Sequence, residues 1–416
     1  MTDTSNKIRA EIKKSQKLDG VLYDIRGPVL HRANEIEASG GEVIKLHVGN
    51  PAPFGFDAPQ HILREVEGNI KDSQGYSESK GLLSAREAVC EHYRKLKVPS
   101  INPNDVYIGN GVSELIVMAL QGLINNGDEV LIPAPDYPLW TAATSLCGGS
   151  PVHYLCDEST GWEPDLDDIS AKISERTKAM VIINPNNPTG SVYSTKTLES
   201  LIELARNHNL VVFSDEIYDK ILFDESHFQP AATLAEDILI ITFSGLSKSY
   251  QVAGFRTGWL VISGQKQIAK DYIEGLELLS SMRLCSNVPT QHAIATALKG
   301  NPDYLSLTRS GGRLFEQRNL AHQMINQIEG VSCKKPKGGF YLFPKLDTAR
   351  FNIHSDERFV LDLLEEKQVL VVQGSGFNWS KPDHFRIVFL PEVRILHEAL
   401  SRIKDFLSSY QQTTEK

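Results

Sequence analysis

The sequence predicts an α/β fold: a mainly parallel seven-stranded sheet flanked by helices, with a second, smaller α/β domain. Three observations carry this. Short apolar runs alternate with helical stretches between residues 106 and 262, the pattern of a parallel sheet covered on both faces. A length of 416 residues exceeds one ordinary domain and suggests two. After about residue 264 the character changes, helices coming first and a smaller strand-and-helix unit following. The expected division is an N-terminal arm with part of the small domain over 1–57, a large domain over 58–300 and a C-terminal small domain over 301–416.

Residues 1–20 are polar and charged and read as a surface arm. The stretch 23–30 leads into a short helix ending near residue 38. Residues 43–48 alternate like a strand and run into Gly49-Asn50-Pro51-Ala52-Pro53-Phe54-Gly55-Phe56, a rigid, irregular loop. Such a loop either crosses between domains or lines a pocket. A helix over 59–70 ends before Gln74-Gly75-Tyr76-Ser77-Glu78-Ser79-Lys80-Gly81. In the next helix Leu82, Ala85, Val89, Tyr93 and Leu96 share one face. Residues 106–108 form a short strand, followed by Gly109-Asn110-Gly111-Val112-Ser113-Glu114 and an apolar helix over 115–124. Strand, small-residue turn and helix start make a phosphate-binding arrangement, because free N–H groups and the positive end of the helix dipole converge there. Ser113 can cap that helix, touch a phosphate oxygen, or do both. Further strands are expected at 129–132, 151–155, 179–183, 210–214, 238–242 and 259–262, with helices between several of them, notably 195–207. Helices follow over 265–283, 288–298 and 313–328, then strands at 340–343, 369–372 and 384–389, and a closing helix over 392–407.

Composition excludes several function classes. Hydrophobic residues make up 41% and charged residues 23%, which suits a soluble globular protein with a large core. The net charge is −9 and no run of lysine and arginine supplies a basic face, so nucleic acid is not expected as a partner. No segment resembles a signal peptide or is long enough to span a membrane. Cys90, Cys147, Cys156, Cys285 and Cys333 are scattered, without C-x-x-C spacing. That argues for reduced thiols in a cytoplasm, and against a disulfide framework or a metal site.

The residues that carry chemistry sit where strands end, the place for ligands in an open α/β sheet. One strand runs into Ser244-Gly245-Leu246-Ser247-Lys248, and Arg256 follows eight residues later between Gly254 and Gly258. Small neighbours let a lysine amine approach a bulky ligand. A lysine in a partly dry pocket has a lowered pKa, so its neutral amine can attack a carbonyl. An arginine nearby can grip a phosphate. Lysine for an aldehyde and arginine for a phosphate together suggest pyridoxal 5′-phosphate. That cofactor needs a carboxylate beside its pyridine nitrogen, to keep the ring protonated and able to accept electrons. Asp215, at another strand end, suits this task or caps a helix. Tyr218 and Asn187 are placed for the cofactor's phenolate oxygen, Asn187 also for a substrate carboxylate, and Tyr137 for stacking on the ring; each aromatic alone would read as core.

These residues resemble those of the fold-type I pyridoxal phosphate aminotransferases of class I/II. The resemblance covers nearly the whole chain. It rests on Asn187-Pro188-Thr189-Gly190, Asp215-Glu216-Ile217-Tyr218, Ser247-Lys248 with Gly254 and Arg256, and Phe385-Arg386-Ile387, in that order. The resemblance implies that Lys248 holds the cofactor aldehyde and that Asp215 partners the pyridine nitrogen. It places Tyr218 and Asn187 at the phenolate oxygen, and Arg256, Ser113, Val112, Gly111 and Ser247 around the phosphate. Arg386 would take the substrate α-carboxylate, with the Gly49 backbone beside it. Tyr76, with Gly81 and Arg86 at the family's spacing, would reach the phosphate of a neighbouring subunit, which implies a homodimer. Many relatives carry serine where this chain has Gly245, flanked by Ser244 and Ser247.

Within the family the chain is most similar to the bacterial glutamate–pyruvate (alanine) aminotransferases. The stretches that carry this are 23–30, 49–57, Ala134-Pro135-Asp136-Tyr137-Pro138-Leu139-Trp140 and Gly245-Leu246-Ser247-Lys248. The implied reaction is L-alanine plus 2-oxoglutarate to pyruvate plus L-glutamate, by ping-pong transfer of the amino group. Glutamate has a distal carboxylate and alanine has none. A mobile cation could serve both, and Arg26, beside Gly27, is the expected one; a surface salt bridge is its plainer role. Rival readings are a transaminase for branched-chain or aromatic amino acids and a carbon–sulfur β-lyase. A non-enzymatic regulator would want a DNA-binding module that the first twenty residues are too few to form.

Overall fold

The computed structural model describes residues 11–18, 21, 27–300 and 304–413. Its centre is an eight-stranded sheet. In spatial order the strands are Val106–Asn110, Thr257–Gly264, Leu239–Gly245, Val211–Asp215, Thr177–Ile183, Glu129–Ala134, Ser150–Asp157 and Glu163–Pro164. The five from Leu239–Gly245 to Ser150–Asp157 run parallel. Thr257–Gly264 is antiparallel to both of its neighbours. The predicted seven strands are all present; the eighth is a two-residue antiparallel edge, too short to show in an apolar pattern.

The sheet forms because its strands are apolar on both faces. Leu131, Ile182, Val212 and Ile240 belong to one core, while their successors Ile132, Ile183, Phe213 and Ile241 belong to the other. Helices Leu83–Lys95 and Thr195–Asn207 cover the first face, and Val112–Leu123 with Lys270–Met282 the second. A further core unites Val29, Ala33, Leu46 and Phe56 with C-terminal residues such as Phe359, Phe385, Ile387, Leu396 and Ile403. Tyr218, Ile221 and Phe223, just past the end of a central strand, pack into it.

Several expected elements shift. The apolar run at 369–372 is not one strand: Val369–Leu370 pairs with Ile44–Lys45, and Val372–Gln373 pairs with Phe385–Val388. The helix over 288–298 is broken into Val288–Gln291 and Ala293–Lys299. Helix Asp356–Lys367, capped by Ser355, lies where no helix was predicted. Of the N-terminal arm, residues 11–18 are described and exposed. All five cysteines are free, and no described helix is long and apolar enough to cross a membrane.

Candidate active site

Where the parallel strands end, one cavity of about 470 Å³ collects most of the sequence-predicted residues. Gly49, Val112, Ser113, Tyr137, Asn187, Asp215, Tyr218, Ser247, Lys248, Arg256 and Arg386 all line it. They come from seven separate stretches of chain, so this convergence is a property of the fold rather than of local sequence. The loop beginning at Gly49 is therefore pocket-lining, one of the two readings its composition allowed.

Lys248 lies just beyond strand Leu239–Gly245, and its Nζ donates to the Gly49 carbonyl at 2.7 Å. Burial lowers its pKa; Arg386 and Arg256 push the same way, while Tyr341 and Asp215 oppose them. A lowered pKa enlarges the fraction of neutral, nucleophilic amine.

Asp215 ends its strand fully enclosed. Its Oδ2 accepts from Trp140 Nε1 at 3.1 Å and its Oδ1 from the Ile217 N–H at 3.4 Å. Burial pushes its carboxyl up to about 6, against those two bonds and the charge of Lys248. A turn, not a helix, follows Asp215, so capping is not its role. Glu216, next in the chain, spends its carboxylate on Ser214 Oγ at 2.8 Å and the Ala231 N–H at 3.0 Å, outside the cavity.

Arg386 is buried on strand Phe385–Val388. Nη1 donates to Asn187 Oδ1 at 2.9 Å and Nη2 to the His47 carbonyl. The guanidinium lies 4.4 Å from the ring centres of both Tyr341 and Phe377. Rigid faces on two sides fix the plane of the fork, as bidentate grip of a carboxylate requires. Arg386 is thus tied to the His47 carbonyl, while Gly49 lines the same cavity and gives its carbonyl to Lys248.

At the other end of the cavity helix Val112–Leu123 begins. It starts three residues earlier than the apolar pattern suggested, so Ser113 lies inside the first turn and does not cap it; Gly111 is the cap position. Gly111 has φ +81°, and a Cβ there would collide with the Arg256 guanidinium. Glycine therefore lets Arg256 lie against the helix start, where its Nη1 donates to the Ala253 carbonyl at 3.0 Å. Gly245 also has a structural reason. A Cβ at Gly245 would stand 2.7 Å from the Thr257 carbonyl oxygen and 2.9 Å from Gly258 Cα, so the tight strand pair leaves no room for serine. Ser247 is the nearby hydroxyl that faces the cavity, while Ser244 is buried away from it.

Of the predicted residues that the structure describes, Gly111 and Tyr76 do not line this cavity. Tyr76 is 81% exposed on a loop that Arg86 pins from below, donating to the Gly81 carbonyl at 2.9 Å, to the Pro103 carbonyl at 3.1 Å and to Glu78. Arg26, with the preceding residues 23–25, lies outside the described residues.

Sequence reasoning missed two others. Tyr341 lines the cavity, its hydroxyl 2.6 Å from that of Tyr218. Trp140, fully buried, holds the acid Asp215 from below. Asp136, in the stretch 134–140, has a structural part. It is fully buried and binds Asn378 Nδ2 and Thr141 Oγ1, each at 2.7 Å, while its N–H donates to the Phe377 carbonyl at 3.0 Å. It thereby fixes Tyr137, its neighbour in the chain, to the turn that carries Phe377.

A family model for aminotransferases of class I and II matches residues 41–403. The chain is 60% identical over 401 residues to a glutamate-pyruvate aminotransferase of Escherichia coli, covering 96% of this chain and 99% of that protein. It is 55% identical over 400 residues to an alanine aminotransferase of Mycobacterium bovis, covering 96% and 93%. Among solved structures, an aminotransferase from Escherichia coli superposes with a TM-score of 0.96 at 59% identity, covering 97% of this chain and 100% of that one.

Proposed function

The chain belongs to the class I and II aminotransferases, and on that premise we propose that it is a pyridoxal 5′-phosphate-dependent alanine transaminase. It would convert L-alanine and 2-oxoglutarate into pyruvate and L-glutamate in two half-reactions. The observation that carries the reading is one cavity in which a lysine amine, a buried carboxylate and an arginine fork face a common space. Its volume of about 470 Å³ lies in the range of small-ligand sites. The substrate pair follows the similarity to glutamate-pyruvate and alanine aminotransferases.

The residues present fit the cofactor. Gly111 leaves the cradle between Arg256 and the helix start that a phosphate needs, with Val112, Ser113 and Ser247 on the same wall. When bound, pyridoxal phosphate supplies an aldehyde for the amine and a protonated ring that accepts electrons as Cα loses its proton. Lys248 would hold the aldehyde and, with its amine free, would be the base for the proton at Cα. Asp215 holds the proton on the ring nitrogen. Arg386 and Asn187 take the α-carboxylate. Tyr218 and Asn187 would hold the phenolate oxygen, and Tyr137 would cover the ring. Burial around Asp215 and Arg386 keeps water from screening these charges.

An amino-donor screen with 2-oxoglutarate tests the reading. Alanine should give glutamate and pyruvate far faster than branched-chain or aromatic donors. Preference for leucine or tyrosine would move the specificity to the rival transaminases, and pyruvate with free ammonia to a β-lyase. We place Arg26 at the distal carboxylate of glutamate. Arg26→Ala should then weaken glutamate and 2-oxoglutarate more than alanine and pyruvate; equal loss for all four would exclude it.

We further propose a cytoplasmic homodimer with shared sites, to which the exposed Tyr76 contributes across the interface. The free cysteines suit a reducing cytoplasm. Tyr76→Ala and Lys248→Ala, each inactive alone, should partly rescue one another in mixed dimers, because one site then keeps both residues. Verified heterodimers without activity would count against a shared site.

A further inference from the structure

Tyr218 and Tyr341 come from distant stretches of chain and meet in one shared core. Tyr218 lies three residues past the strand end that carries Asp215, and Tyr341 is on strand Tyr341–Leu342, paired with the strand of Arg386. Both rings are buried and meet edge-on, with centres 5.7 Å apart and planes at 82°. Their hydroxyls are 2.6 Å apart. A Cβ on Gly49 would collide with Tyr341 Oη, so that hydroxyl is boxed between Gly49 and Tyr218. The same Tyr341 ring carries the Arg386 guanidinium at 4.4 Å.

One short contact between two hydroxyls holds one proton. If Tyr218 spends its own proton on a charged oxygen in the cavity, the proton of the contact must come from Tyr341. We propose that Tyr341 is a positioning residue that acts through Tyr218: its hydroxyl donates to Tyr218 Oη, so that Tyr218 keeps its own proton for the phenolate oxygen of the cofactor. This rests on the reading of Tyr218 as a cofactor ligand given above. The donation also makes Tyr218 the better donor, because hydrogen bonds in a chain polarise one another. The effect is strongest on the state in which that phenolate oxygen carries a full negative charge. Tyr341 therefore lowers the pH at which the cofactor held at Lys248 loses its linkage proton. The structure sets this control in the strand beside Arg386, so the residue that floors the carboxylate grip also sets the basicity of the linkage that the substrate must displace.

The test is a pH titration of the visible absorbance of the holoenzyme. Tyr341→Phe keeps the ring and its face under Arg386, and removes only the hydroxyl. Its midpoint should rise by about half a pH unit, the share that one polarising neighbour adds to a hydrogen bond on a charged group. Tyr218→Phe should raise it further, and adding Tyr341→Phe to Tyr218→Phe should change nothing more, since Tyr341 then has no route to the cofactor. Tyr341→Leu, which also removes the face under Arg386, should raise the KM for 2-oxoglutarate well above that of Tyr341→Phe, so that grip and linkage are read separately. A midpoint that stays at the wild-type value, or shifts that add in the double variant, would overturn the inference. A wild-type protein without a pH-dependent visible band would instead overturn the cofactor reading beneath it.

Discussion

Lys248→Ala should lose all cofactor that borohydride can trap, and its turnover should fall by roughly four orders of magnitude, the scale on which an enzyme loses a residue that is both covalent anchor and base. Three features concentrate that role on one amine. The chain leaves the central strand at Gly245 and delivers Lys248 to the cavity wall. Burial lowers the amine's pKa, so more of it is neutral. Its rest position is defined by the Gly49 carbonyl at 2.7 Å, a bond weak enough to exchange for an aldehyde carbon. Borohydride reduction of the holoenzyme, digestion and mass mapping check the prediction. A modified lysine other than Lys248 would remove the assignment.

Asp215→Asn should lower turnover by roughly two to three orders of magnitude, because a preorganised charge is withdrawn from the step in which electrons enter the ring. The same change should stabilise the cofactor-free protein. The sign follows from the direction of the shift. Burial raises the folded-state pKa of Asp215 from 3.8 to about 6, so the folded protein holds the proton more tightly than the unfolded chain. Asp215 therefore costs stability at neutral and alkaline pH, and the cost vanishes as pH falls through that window. Asparagine keeps an oxygen for Trp140 Nε1 and removes the charge. Cofactor-free Asp215→Asn should melt a few degrees above cofactor-free wild type at mildly alkaline pH, with the gap closing toward pH 4. A variant that melts lower at alkaline pH, or that keeps near-normal turnover, contradicts the assigned role.

The sequence disclosed the reactive groups because their chemistry is rare at strand ends. A lysine among small residues, an aspartate after a buried run and an arginine inside one are each unexpected on structural grounds alone. What it concealed depends on partners far along the chain. Tyr341 lies in Phe340-Tyr341-Leu342-Phe343, a run that reads as core, and its hydroxyl partner is 123 residues away. Trp140 reaches Asp215 across 75 residues. Residues 369–372 read as one strand because all are apolar, and apolarity cannot say that Val369 and Val372 pair with different partners. Ser113 was misplaced by hydrophobic patterning: Val112 and Ser113 are helical, but the apolar stripe begins only at Leu115. Gly245 reads in sequence as a missing hydroxyl and is in the fold a missing Cβ, a distinction that only the neighbouring strand reveals.

The central claim is that this cavity passes one amino group from alanine to 2-oxoglutarate while the protein holds it. The direct measurement follows the nitrogen. The holoenzyme is mixed with L-alanine carrying an isotopically labelled amino group, in the absence of any keto acid, and then freed of small molecules. The account predicts one pyruvate released per Lys248 site, no ammonia, and label retained on the protein until 2-oxoglutarate is added, when all of it appears in glutamate. Pyruvate accompanied by labelled ammonia, or glutamate formed without the label, would contradict it.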